Sequence, residues 1–504
     1  MFNLVKNELT KIFSKKAIFI TLIVFLLLSI LVLEMQKYYE DLLAVENEKD
    51  ITDLEEELKN VDTSTENGKI QYWTLKSEIE TLELANKYGG YLTWQGKIIL
   101  ENIWTIKLDM NLYENGLEKF VTNTSYSKES IQKEYDKIMS RIEVGDWKSF
   151  VQEDLKEQEE QIKLIKEQIK NTTDDESKKE LCKNLEMLKL EEQVNKWRLE
   201  KNIYYGEKKY DNTLNKYVIY GKILIDYNYT YSIDPKNYKE KISNEFDYTS
   251  KIAYQQDLAE FEISKYRIEN EIPNLESMSV SSSIENLISN MGLVFILAIS
   301  VMTTGTIVSE EFNKGTIKLL LIRPYTRRKI MLSKIIASVI ALLISIVAIV
   351  MIQIVVSGIG FGFNTIDIPV LKYNFNTNSV IEMSVFKWFL INVLAVSPII
   401  IIMSTLALMI GTVITNSTCA IGFSMILYIV SSWLNEFIKV FGTKLTWVRF
   451  IPFINWDLTE FLYGKLHSIQ GVTIQNSICS STILIAFLLF ITFENFAKKN
   501  IKNI

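Results

Sequence analysis

Residues 310–329 read Glu310-Glu311-Phe312-Asn313-Lys314-Gly315-Thr316-Ile317-Lys318-Leu319-Leu320-Leu321-Ile322-Arg323-Pro324-Tyr325-Thr326-Arg327-Arg328-Lys329. This basic segment lies between two apolar runs, 286–308 and 330–356. Seven cations (Lys314, Lys318, Arg323, Arg327, Arg328, Lys329 and Lys334) stand against two acids, Glu310 and Glu311. Apolar runs of this length cross a bilayer as helices. A short basic loop between two crossings marks the cytoplasmic side. The segment thereby decides the fold class, a helical membrane protein. Its internal order (acid pair, Gly-Thr, a Leu cluster, Arg-Pro, then cations) points to a docking surface for a soluble partner rather than a plain connector.

Working outward, four more apolar runs bring the expected crossings to six: 17–33, 388–414 with Pro398 and Gly411 inside it, 418–434 and 478–493. The run at 17–33 follows Lys11, Lys15 and Lys16, as a signal peptide would. No small-x-small cleavage pattern follows it, so it reads as a retained anchor. Ahead of it, in 1–16, Phe2, Val5, Leu9, Ile12 and Phe13 share one helical face, with Lys6, Glu8 and Lys11 elsewhere. That periodicity predicts an amphipathic helix lying in the membrane surface. Six crossings return the basic tail (Lys498, Lys499, Lys502) to the side of the N-terminal lysines. Both termini and the loop 309–329 are therefore expected in the cytoplasm. Within 330–497, the segment 436–475 belongs outside. It carries Lys439, Lys444, Arg449 and Lys465 against Glu436, Asp457 and Glu460, and is rich in aromatics such as Trp447, Phe450, Trp456 and Phe461. It reads as re-entrant or interfacial helices broken at Pro452, with a seventh crossing as the competing reading.

Composition separates this apolar half from a large insert. Residues 34–285 hold 52 acidic and 35 basic side chains, a net of −17 within a chain whose total is −6. The topology places this insert outside the membrane. Leu54, Leu58 and Val61, then Leu75, Ile79 and Leu82, recur at helical spacing on either side of a turn at 62–68. Leu155, Ile162 and Ile169 are followed by the break Asn171-Thr172-Thr173-Asp174-Asp175, and then by Leu181, Leu185, Leu188 and Trp197. This predicts a helical hairpin whose second arm is capped by Asp174 or Asp175. Tyr217-Val218-Ile219-Tyr220 and Ile223-Leu224-Ile225 read as short strands. Asn123-Thr124-Ser125 and Asn171-Thr172-Thr173 match the glycosylation sequon. A binding domain and a solvated dimerisation spacer are both open readings of the insert.

Several chemistries find no support. The only cysteines are Cys182, Cys419 and Cys479, two of them in apolar runs, and His467 is the sole histidine. A disulfide framework, a histidine-rich metal site and a Ser-His-Asp triad are not expected. The acidic insert offers nothing for nucleic acid. No Gly-x-x-x-x-Gly-Lys-Ser/Thr loop is present to hold nucleotide phosphates. No Asp/Glu/His chain threads the spans as a proton relay. The candidate pathway-lining residues are neutral: Ser300, Thr303, Thr304, Asn392, Ser424, Tyr428 and Ser431. Such groups also bond one another between membrane helices.

The order Glu311-Phe312-x-x-Gly315-Thr316-Ile317-x-x-Leu320-Leu321-x-Arg323-Pro324-x-x-Arg327-x-x-Ile330-x-x-Ser333-Lys334 resembles the loop between the second and third spans of type-2 ABC transporter permeases. The likeness covers the membrane half. It implies a six-helix transmembrane bundle with an N-terminal interfacial helix and a large, mainly helical extracytoplasmic domain. It also implies an ATPase-coupling surface made of Glu310, Glu311, Phe312, Gly315, Thr316, Lys318, Leu320, Arg323, Pro324, Arg327 and Arg328. The implied partners are a cytoplasmic ABC ATPase subunit that carries ATP and magnesium, a second permease chain (identical or homologous) and the lipid bilayer. The implied location is a bacterial plasma membrane. The chain itself would do no bond chemistry. Implied cargo classes are an antimicrobial peptide, a drug, a lipid-like molecule or an ion. The alternative is a surface-exposed scaffold or receptor resembling phage-infection proteins, which would have no use for the Gly-Thr and Arg-Pro frame.

Overall fold

The computed structural model describes residues 1–504 except 91–92, 123–126, 208, 237, 240–244, 276–277, 290, 319–324, 442–445 and 500–504. The chain divides into two compact units. One comprises Met1–Leu33, Tyr238–Gln256 and Glu276–Ile504, the other Glu34–Asn237 and Asp257–Leu275.

The second unit is helical. It contains residues 34–59 of α2 (Lys16–Lys59), then α3 (Glu66–Lys87), α4 (Trp94–Glu114), α5 (Lys128–Val144), α6 (Trp147–Asn171), α7 (Asp175–Lys201), α8 (Asp211–Tyr231) and the later part of α9 (Tyr248–Glu269). Helices α3 to α7 begin on Thr65, Thr93, Ser127, Asp146 and Asp174, whose side chains accept a first-turn amide. Each such cap satisfies a donor that the helix leaves orphaned. Helices α6 and α7 form the expected antiparallel hairpin, and the cap of α7 is Asp174, which accepts from the Ser177 amide at 2.8 Å. Asp211 binds Arg198 at 2.6 Å and Lys97 at 2.9 Å, which joins α8 to α7 and α4. Burial raises the Asp211 carboxyl pKa, but Arg198 and Lys97 outweigh it and hold the group below its ordinary value.

The strands expected at 217–220 and 223–225 do not form, because both stretches lie inside α8. The β-branched and tyrosine-rich composition favours strand locally. The buried positions are Thr213, Leu214, Tyr217 and Gly221, a helical period, and packing against α7 overrides the local preference. The sequon Asn123-Thr124-Ser125 lies outside the described residues. Asn171 is the exposed last residue of α6.

Among the described residues, six helices are long and apolar enough to cross a membrane: Lys16–Tyr38, Gly292–Asn313, Arg327–Phe361, Val385–Val413, Ser417–Lys439 and Ile474–Lys498. The protein is thus an all-α membrane protein, with one β-hairpin as its sheet among the described residues. The α-helices of the first unit are α1 (Phe2–Phe13), the start of α2, the start of α9, α10 (Val280–Ser289), α11 (Met291–Asn313), α12 (Arg327–Phe361), α13 (Val385–Val413), α14 (Ser417–Phe441) and α15 (Ile474–Lys498). The second apolar run therefore does not start a span at 286, since residues 286–289 belong to the separate helix α10. A Cβ at Gly292 would stand 2.3 Å from the Leu287 carbonyl oxygen, so the close approach of the end of α10 leaves no room for a side chain there.

Helix α11 is central. Two thirds (67%) of its apolar window is buried, against 17% for α14, and it packs on α12, α13 and α14. Small residues let it approach α13. Ser300 bonds Ser404 across the contact, and a Cβ on Gly411 would stand 2.7 Å from the Gly305 carbonyl oxygen.

The hairpin β1 (Val370–Asn374) and β2 (Ser379–Met383) pairs antiparallel with Val370 opposite Met383. Lys372 of β1 meets Glu285 of α10 at 3.0 Å. Beyond α14, where the sequence predicts short interfacial or re-entrant helices broken at Pro452, the described residues form short 3₁₀ helices at Thr446–Phe450, Pro452–Asn455 and Leu458–Gly464. Pro452 opens the second of them, since it supplies no amide donor and its fixed φ suits a first helical position. Asn455 anchors the turns to α15 through Ser477 at 2.8 Å and Ser481 at 3.1 Å.

Candidate functional site

The charged residues that precede α2 and flank the quoted loop meet at one end of the bundle. Helix α1 buries Leu4, Val5, Glu8 and Ile12, one face at helical spacing. The expectation that Glu8 faces away from the apolar stripe is overturned, since its side chain is only 3% exposed. Phe2, expected on the apolar face that lies in the membrane surface, is 80% exposed in the protein itself. The reason is electrostatic: α1 packs on α12, and Glu8 finds a buried cation there.

That cation is Lys334, with no solvent exposure. Its Nζ lies 2.9 Å from Glu8 Oε2 and 2.8 Å from Glu311 Oε2, and donates to the Ile307 carbonyl at 3.2 Å. Lys11 Nζ closes the figure, 2.9 Å from Glu8 Oε1 and 2.6 Å from Glu311 Oε1. Glu8, Lys11, Glu311 and Lys334 thus form a closed, neutral ring in which each ammonium bridges both carboxylates. Burying one of these charges alone would be costly; alternating signs, with every carboxylate oxygen within 2.9 Å of an ammonium nitrogen, offset part of that cost. The ring fastens α1 to the end of α11 and the start of α12. Burial by itself would raise the Glu8 carboxyl pKa, but Lys334 and Lys11 hold it below its ordinary value. Burial would lower that of Lys11, but Glu311 and Glu8 hold it above.

A second pair lies alongside. Lys15 Nζ is 2.9 Å from Glu310 Oε1 and donates to Thr306 Oγ1 at 2.6 Å, while Lys314 reaches Glu310 at 3.4 Å. The C-terminal helix joins the same end. Arg327 donates to the carbonyls of Ala497 at 2.9 Å and Lys499 at 3.0 Å. Lys499 donates to Thr412 O at 2.6 Å and Val413 O at 3.0 Å, closing the end of α13.

The expected coupling residues divide accordingly. Glu311, Phe312 and Arg327 are committed internally, Phe312 packing edge-on to Phe496 beneath Lys499. Glu310 is half-buried and shared by two lysines. Thr316, Lys318 and Arg328 are exposed. Gly315 adopts φ +68°, a left-handed turn that glycine accommodates without strain. Leu320, Arg323 and Pro324 lie outside the described residues.

The candidate pathway residues are spread over three helices. Thr303 and Thr304 donate to Ser300 O within α11, Asn392 to Trp388 O within α13, and Ser431 to Tyr428 O within α14. Ser424 is fully buried. Thr303 also lines a cavity of about 940 Å³ at the bend between α1 and α2.

Sequence reasoning missed Glu8, Lys11, Lys15, Thr306 and Lys334 as one cluster. A signal was present for Lys334, a lone cation at the edge of an apolar run, because an ionisable residue in such a place calls for a buried partner.

A bundle of six apolar helices closed at one end by an ion ring defines a multi-pass membrane protein. The chain belongs to the family described as "Protein of unknown function (DUF2705)", which matches residues 251–502. It is 31% identical over 245 residues to the uncharacterized protein YhcI of Bacillus subtilis (strain 168), covering 48% of this chain and 75% of that protein. It is 28% identical over 213 residues to the uncharacterized membrane protein YdbK of the same organism, covering 42% of this chain and 79% of that protein. No solved structure matches the chain.

Proposed function

We propose that this protein is the membrane subunit of an ATP-driven exporter. The observation that carries the reading is the convergence of α1, the end of α11, the start of α12 and the end of α15 around the two ends of the loop. A force applied to residues 314–326 would reach both flanking helices through the ring without first bending a flexible tether. The exposed Thr316, Lys318 and Arg328 beside the left-handed Gly315 offer a surface for a soluble partner. The partner is a cytoplasmic ABC ATPase that binds ATP and magnesium, and a second permease chain completes the pathway. On this reading the loop and both termini are cytoplasmic, the second unit lies outside, and the membrane is a bacterial plasma membrane.

The test is co-expression with the ATPase that co-purifies with the chain, followed by ATP-dependent transport in proteoliposomes. Gly315→Pro blocks the left-handed turn, because proline fixes φ near −65°. Arg323→Glu reverses a charge in the Arg-Pro frame. Both are expected to lower transport by at least about tenfold, the effect of losing roughly 1.4 kcal/mol of productive docking, with insertion unchanged. Full transport by these variants overturns the coupling assignment. A chain that hydrolyses ATP alone, or that binds no ATPase and transports nothing, overturns the exporter reading and leaves the scaffold.

A further inference from the structure

The cavity at the bend between α1 and α2 carries a charge that the ring does not cancel. Its wall includes Lys11, Lys15, Lys16 and Lys314 together with Glu8, Glu310 and Glu311. Glu8, Lys11 and Glu311 are neutralised in the ring with Lys334. Three lysines remain against the single carboxylate of Glu310, which already serves Lys15 and Lys314. Lys16 is exposed and makes no ion pair among the described residues. The wall is therefore short of negative charge.

Its other side is apolar, formed by Ile18, Met302 and Ile421. The first span begins at Lys16 and the second ends at Asn313, so the cavity sits at the level where helices enter and leave the bilayer. A ligand fitting both sides carries a phosphate at one end and hydrocarbon at the other, and it is available in the plane of the headgroups.

We propose that this cavity binds an anionic phospholipid, with its phosphate held by Lys15, Lys16 and Lys314 and its chain laid along Ile18, Met302 and Ile421. Basic pockets between membrane helices have the chemistry to hold such headgroups. The bound lipid then supplies the missing negative charge beside Glu310 and steadies the bend that links the interfacial helix to the first span. The proposal does not use the exporter reading, and its test needs no ATPase.

The experiment is native mass spectrometry of the purified full chain, titrated with phosphatidylglycerol or with phosphatidylcholine of the same acyl chains. The wild type is expected to retain phosphatidylglycerol on the order of tenfold more strongly. The double variant K16Q/K314Q is expected to lose that preference and K16R/K314R to keep it, both eluting from gel filtration as the wild type does. Millimolar glycerol phosphate is expected not to displace the lipid. Equal retention of the two lipids, an unchanged preference in K16Q/K314Q, or displacement by glycerol phosphate (a site for free phosphate) overturns the proposal.

Discussion

The Lys334 ammonium, at zero exposure, is surrounded by two carboxylates and a carbonyl. Lys334→Met removes that cation and leaves Glu8 and Glu311 with Lys11 as their shared partner. The expected loss is about 3–5 kcal/mol, the usual consequence of breaking one member of a buried ionic group, and it is read as a lower thermal midpoint of the detergent-purified chain. Glu8→Gln added to Lys334→Met relieves the uncompensated charge and is expected to recover part of the loss. A single variant that melts with the wild type would show that the ring does not fasten α1.

The pH dependence follows from the same contacts. Glu8 is depressed below 4.5, so its contribution is complete above that value and is lost as pH falls through the folded-state pKa. Lys11 is raised above 10.5, so its contribution is complete below that value and is lost only as pH rises through the raised pKa. Between these limits the hold of α1 is expected not to vary. At this scale the sequence misled on Glu8, because the sorting of α1 into faces counted apolar residues and could not know that a cation waited beneath the helix.

At the scale of elements, the contact of α11 with α13 depends on absent side chains. Gly411→Ala places a methyl group 2.7 Å from the Gly305 carbonyl oxygen, a backbone atom that cannot turn aside. It is expected to cost about 1–3 kcal/mol through overpacking. Gly422, in the exposed helix α14, has open space where a Cβ would go, so Gly422→Ala is expected to be neutral or mildly stabilising. Thermal melting of the two variants side by side checks the contrast, and equal effects would remove α11–α13 apposition as the cause. Element type was legible where one signal dominated: the apolar runs, and the cap at Asp174. It failed for α8, where local composition argued for strand and only contact with α7 made the helical period pay. The β-hairpin after α12 leaves no comparable signal, although Val370, Leu371 and Tyr373 are buried in it, because a five-residue strand adds little to the hydropathy of its window.

At the scale of the whole molecule, protease accessibility reads the orientation in the membrane. If the basic loop is cytoplasmic, protease added to intact cells cuts within residues 40–270 and spares Arg327 and Arg328. Cleavage of the loop with protection of 40–270 would invert the arrangement. The sequence by itself determined that the chain is helical, that it crosses a membrane and that an acidic block interrupts its apolar half. These are properties of windows of neighbouring residues, and burial in lipid rewards them without regard to which helix lies beside which. Tertiary structure alone decided that Glu8, Lys11, Glu311 and Lys334 make one ring. Their attraction becomes strong only when helices distant along the chain are brought within about 3 Å and water is excluded, and no local pattern records that meeting.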